Sequence, residues 1–186
     1  MPTTAPAPLS ADDAGALYAA LQAGPLAGTP VTTLRIGSTQ TTLASGDGPQ
    51  ARLLRSLPIG ARATAALCFA QQPPTSAELE AAIARVEDAV MPVRALLPEA
   101  SMLFTADAGI RQVALAAGLE AQPEMQLTLD AVERTFERLV AWTEGRLAGE
   151  DDLPQEPAFA ATLLILRETM QHLGFSAVVV RSDAVV

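Results

Sequence analysis

The chain contains no lysine. Its twelve basic residues are all arginines, set against 21 acidic residues, and the formal net charge is −9. An acidic surface repels nucleic acid, polyphosphate and anionic membranes unless a local basic patch overrides it. The arginines form no tight cluster along the sequence, so neither a nucleic-acid nor a membrane partner is expected. Cys68 is the only cysteine, which excludes an intrachain disulfide and suits a reducing, cytoplasmic setting. The flanking Leu67 and Phe69 make it a packing thiol rather than a nucleophile. His172 is the only histidine; it stands near a helix end, where an imidazole complements the dipole. No apolar run approaches the roughly 18 residues needed to span a bilayer. The first eight residues have neither a basic nor an apolar stretch of the kind that opens a secretory signal, and residues 1–8 read as a frayed tail. There is no internal repeat, and residues 9–186 read as one domain.

Against these absences stands a substantial apolar content. With 186 residues, 49% hydrophobic and 18% charged, the chain can bury a real core. Residues 9–23 read as a helix capped by Ser10, with Asp12 and Asp13 at its positive end. Three strands follow at 31–36, 39–45 and 51–57, the last two joined through Gly46-Asp47-Gly48, where glycine would supply positive φ. Thr75 and Glu78 form a capping box before a helix carrying Leu79, Ala82, Ile83, Val86 and Val90. A short strand at 101–105 precedes a helix from Ile110 closed by Gly118. Thr128 caps the next helix, which presents Leu129, Val132, Phe136, Leu139 and Val140, with Trp142 half-buried at its end. Glu150, Asp151 and Asp152 make a solvated acidic loop. Pro157 opens a last helix with Phe159, Leu163, Leu166, Met170 and Leu173 inward, Gly174 ends it, and Val178–Val180 is an apolar strand suited to a sheet interior. Strands mixed with crossover helices mean α/β. The layout predicts a ribonuclease H-like, actin-like single lobe with a mixed five-stranded sheet and flanking helices.

Five segments in order resemble the exopolyphosphatase/guanosine pentaphosphate phosphatase family. Residues 9–18 (Leu-Ser-Ala-Asp-Asp-Ala-Gly-Ala-Leu-Tyr) look like its Ile-Ser-Gly-x-Glu-Glu-Ala-Arg-x-x-Tyr stretch. Residues 33–48 stand where the family has Val-Asp-Ile-Gly-Gly-Gly-Ser-Thr-Glu and a following turn. Ser56-Leu-Pro-Ile-Gly60 is close to Ser-Leu-Pro-x-Gly, and Cys68-Phe69 with Pro73-Pro-Thr75 makes a similar approach to a helix. Thr105-Ala-Asp-Ala-Gly-Ile110 takes the place of Gly-x-Gly-Gly-Thr. Residues 159–183 resemble the closing helix and the Val-Ser-Asp strand. The resemblance implies the C-terminal lobe of such an enzyme, without its N-terminal lobe and without most of the segment after the last strand.

That resemblance also assigns the chemistry. Phosphoanhydride hydrolysis needs backbone N–H groups from glycine loops to cradle phosphate, carboxylates to hold a divalent metal, and a carboxylate base for the attacking water. Asp13 aligns with the catalytic base, one methylene shorter than the family's glutamate; otherwise it is a first-turn acid placed by the dipole. Arg35 and Thr42 align with the metal-binding carboxylates, so no family-type metal site is expected, and magnesium enters only if hydrolysis survives. The first glycine loop is reduced to Gly37, with Ser38 and Thr39 beside it, and the second retains Gly109. Arg35 and Arg111 could meet phosphate as forked donors, or be ordinary surface arginines. Asp107 places a negative charge where an anion would sit. The expectation is a catalytically silent module acting in binding, interaction or regulation, with a protein partner or a second copy of itself and with phosphate or a nucleotide as a possible ligand. The alternative is a hydrolase completed by a dimer partner or a second chain.

Overall fold

A computed structural model describes residues 14–146 and 153–182. The elements run α1 (Ala14–Gln22), β1 (Val31–Ile36), β2 (Thr41–Gly46), β3 (Leu53–Leu57), α2 (Ala61–Cys68), α3 (Ser76–Val90), a 3-10 turn (Met91–Leu96), β4 (Met102–Thr105), α4 (Ala108–Ala116), β5 (Glu124–Thr128), α5 (Leu129–Thr143), α6 (Pro157–Leu173) and β6 (Ala177–Arg181). The strands form one sheet in the order β3-β2-β1-β4-β6-β5. The β1–β2 and β2–β3 pairs are antiparallel, whereas β1–β4 and β4–β6 are parallel. This is the meander followed by crossovers that the sequence predicts.

The sheet has six strands rather than five. The additional one, β5, pairs antiparallel with β6 at the edge and alternates exposed and buried along Glu-Met-Gln-Leu-Thr. Only Met125 and Leu127 signal it, and Thr128 then serves as the N-cap of α5, its hydroxyl accepting from Ala131 N–H at 3.2 Å. Helix α2 is likewise absent from the sequence reading. It is short, half of it is alanine, and only Thr64 and Ala65 are buried.

Register decides the two sheet faces. Leu34, Leu43, Leu103, Val178 and Leu127 point to one face, which is covered by α2 to α6 and forms the main core. Val31, Ala44 and Phe104 point to the other, where α1 lays down Ala14, Tyr18 and Leu21. Helix α6 departs from the expected single apolar stripe. Leu163, Leu164, Ile165 and Leu166 are all 0% exposed, because α6 is enclosed by the neighbouring helices and the sheet. A helix apolar all round is a buried helix.

The β2–β3 connection corrects a second expectation. Gly46 and Gly48 do not adopt positive φ. A Cβ on Gly46 would stand 2.7 Å from the Tyr18 hydroxyl oxygen, which itself donates to Gly48 C=O at 2.6 Å. The glycine is therefore required by the close approach of α1, not by the turn.

Candidate functional site

The loops that follow β1 and β4 meet at the ends of these adjacent parallel strands. In an open α/β sheet that crevice is where ligands bind. Thr105, fully buried at the end of β4, ties the two strands: its hydroxyl donates to Leu34 C=O at 2.7 Å and accepts from Asp107 N–H at 3.1 Å. Asp107 then caps α4. Its Oδ1 accepts from Gly109 N–H at 2.7 Å and Ile110 N–H at 3.1 Å, and its Oδ2 accepts from Ile36 N–H at 3.0 Å at the end of β1. Both carboxylate oxygens are thus spent on backbone donors from the end of β1 and the first turn of α4. Burial pushes the Asp107 carboxyl above its ordinary range, opposed by the three N–H groups and by the Arg35 guanidinium.

The first loop is held by bonds within itself and to α2. Gly37 N–H donates to Gln40 C=O at 2.9 Å. Gly37 C=O accepts from Ala61 N–H, and Ser38 C=O accepts from Arg62 and Ala63 N–H, at 2.9 to 3.0 Å. The loop carbonyls therefore cap the start of α2, consuming donors that could otherwise have faced an anion. This is possible because Gly60 has no side chain: a Cβ there would lie 2.4 to 2.5 Å from backbone atoms of Thr39 and Gln40. Ser38 and Thr39 are exposed, so their side chains lie outward.

The structure places the remaining site residues as follows. Arg35 and Thr42 sit directly opposite each other on the β1–β2 ladder, and both are half-buried. Arg35 is held beside Asp107 rather than being an exposed strand arginine. Gly109 abuts Asp107 and Thr162 at the start of α6, so a Cβ there would stand 3.1 Å from Asp107 Oδ1 and 3.4 Å from Thr162 Cγ2. Arg111 lies one turn into α4; its Nη1 is buried and has no hydrogen-bond partner among the described residues. Asp13, Asp12, Ser10, Asp183 and the acidic loop at 150–152 lie outside the described residues.

Among the described residues, a divalent cation does not fit this donor set. Its described members are a guanidinium, a threonine, and one carboxylate whose two oxygens already accept N–H groups. Magnesium is ordinarily held through one or two free carboxylates. Sequence reading marked Asp107 only as an unfavourable charge; that it closes both loops depends on the β1–β4 pairing, which no local pattern reveals.

Comparison with known proteins gives a consistent result. The model of the Ppx/GppA phosphatase family matches residues 11–185. No curated protein matches. Among solved structures, a Ppx/GppA enzyme of Aquifex aeolicus superposes with a TM-score of 0.69 at 19% identity, covering 89% of this chain and 57% of its own. An exopolyphosphatase of Cytophaga hutchinsonii superposes with a TM-score of 0.67 at 17% identity, over 90% of this chain and 60% of its own. An exopolyphosphatase-like protein gives 0.65 at 15% identity. This chain therefore spans little more than half the length of the structures it is similar to.

Proposed function

The chain belongs to the Ppx/GppA phosphatase family, and on that premise we propose that it is a binding or interaction module of the family which does not hydrolyse phosphoanhydride bonds. The observation that carries this reading is the Asp107 carboxylate. It accepts from Ile36, Gly109 and Ile110 N–H and so stands as an internal anion at the loops where the family resemblance puts phosphate. An incoming phosphate would have to displace it, and would meet like charge while doing so. The loss of carboxylates at positions 35 and 42 points the same way. The test is phosphate release from polyphosphate and from guanosine pentaphosphate with magnesium. The expected result is no release above the buffer rate. Release abolished by Asp13→Ala would overturn the proposal.

A second reading, hydrolysis completed by a dimer partner or a second chain, is favoured by Arg111. A buried guanidinium nitrogen without an acceptor is costly, and an anionic group from a ligand or a partner would satisfy it. Calorimetric titration with phosphate, polyphosphate and guanosine tetraphosphate tests this second reading. Heat that disappears in Arg111→Gln supports it, and the absence of any heat counts against it. The partner, whether a second copy or another protein, and a cytoplasmic setting belong to this proposal as well. Among the described residues, no helix is long and apolar enough to cross a membrane.

A further inference from the structure

Far along α6 from the loops, three ligating side chains converge. Glu168 and His172 lie one turn apart on α6, and Glu87 faces them from α3. His172 Nε2 is 3.2 Å from Glu87 Oε1 and 3.3 Å from Glu168 Oε2. One donor atom from each of the three residues falls within 4.8 Å of the others. We propose that Glu87, Glu168 and His172 form a binding site for a divalent transition-metal ion of the zinc class, bridging α3 and α6.

Three observations support the assignment. The first is spacing. A charge-assisted N–H···O contact between imidazolium and carboxylate closes to about 2.7–2.9 Å, and one Nε2 proton cannot serve two oxygens well. Ligands at about 2.0–2.1 Å from a tetrahedral centre stand about 3.3–3.4 Å apart, and both measured separations lie at or near that edge length. The second is support. The other oxygen of Glu168 is held by Arg167 Nη1, and Arg167 Nε donates to Glu133 at 2.8 Å. This leaves Glu168 Oε2 oriented toward the imidazole, the way outer partners fix metal ligands. The third is charge and access. Three carboxylates and one guanidinium leave two negative charges for a dication to balance. Glu168 is 1% exposed, whereas His172 and Glu87 are 26% and 38% exposed, so an ion can enter from solvent and keep water as a fourth ligand. The sequence signal was Glu168-x-x-x-His172, an i, i+4 pair on one helical face; Glu87 could be added only by the packing of α3 on α6. The imidazole donor favours a zinc-class ion over magnesium.

The experiment uses the full chain without a histidine tag, stripped with chelator and titrated with Co(II) and then Zn(II). The expected result is one equivalent bound, with visible d–d absorption of four-coordinate cobalt that zinc bleaches and a hundredfold excess of magnesium does not. His172→Gln and Glu87→Gln, both at partly exposed positions and checked by circular dichroism, are each expected to weaken binding by about tenfold or more. No stoichiometric binding overturns the proposal. So does binding unchanged in both variants, or a sulfur-to-cobalt charge-transfer band that vanishes in Cys68→Ser.

Discussion

Asp107 and Gly60 are the residues on which the loop architecture turns. Asp107 caps α4 and also reaches back to Ile36, so Asp107→Ala removes a cap and a cross-loop bond together. The expected loss is about 1–2 kcal/mol in urea denaturation. Its pH dependence has a definite sign. The folded-state pKa of Asp107 is raised above the ordinary 3.8, chiefly by burial. A raised acid favours the protonated fold, so this contribution is fully present below pH 3.8 and is lost as pH rises through the folded value. Against Asp107→Asn, which has no such titration, the wild-type chain is expected to lose relative stability as pH climbs through that window, as measured by thermal unfolding at stepped pH. Gly60→Ala tests the other residue. A Cβ overlapping the Thr39 and Gln40 backbone at 2.4 to 2.5 Å cannot be relieved by a side-chain rotation. A loss of about 2–3 kcal/mol is expected in the same assay, with the far smaller change of an ordinary surface substitution at Gly48, where a Cβ meets nothing within 4 Å.

At the scale of elements, α5 and α6 are joined by Arg167. Its guanidinium donates to Glu133 on α5, pairs with buried Glu168, and lies 4.6 Å from the Phe136 ring centroid. Arg167→Leu leaves the Glu168 carboxylate without its counter-ion, and in chelator-treated protein the expected cost is about 3–5 kcal/mol. Arg167→Leu combined with Glu168→Leu should cost less than the single change, since the unpaired buried charge is gone; chemical denaturation of the three proteins checks it. Local signals served some elements well. The Thr75–Glu78 box forms as read, with Thr75 N–H donating to Glu78 at 2.7 Å. Pro157 opens α6 and Gly174 closes it at φ 77°. They failed for α2, whose first N–H groups are satisfied by Gly37 and Ser38 from a distant strand end, and for β5, whose two apolar residues acquire a period only once β6 lies beside them.

Across the whole molecule the two sheet faces differ. Five helices bury one face, while α1 covers the other over β1 and β2 and leaves Leu54 and Met102 at 67% and 41% exposure. These side chains contribute little to the fold. Leu54→Asp and Met102→Asp are each expected to change stability by less than about 0.5 kcal/mol in thermal or urea unfolding; a larger loss would mean that a partner surface covers them in solution.

Sequence alone determined the α/β class, the order of most elements and the capping residues of α3, α5 and α6, because each of these rests on residues within a turn or two of one another. It also carried the family, through Ser56-Leu-Pro-Ile-Gly60 and the segments around it. It marked the replaced positions at 35, 38, 39 and 42. What it could not determine was where those positions come to rest. That Arg35 faces Thr42, that Asp107 closes both loops, and that Glu87 meets Glu168 and His172 were decided by strand register and helix packing. The Ile36–Asp107 and Glu87–His172 contacts join residues about 70 to 85 positions apart, with nothing local in either partner to announce the other.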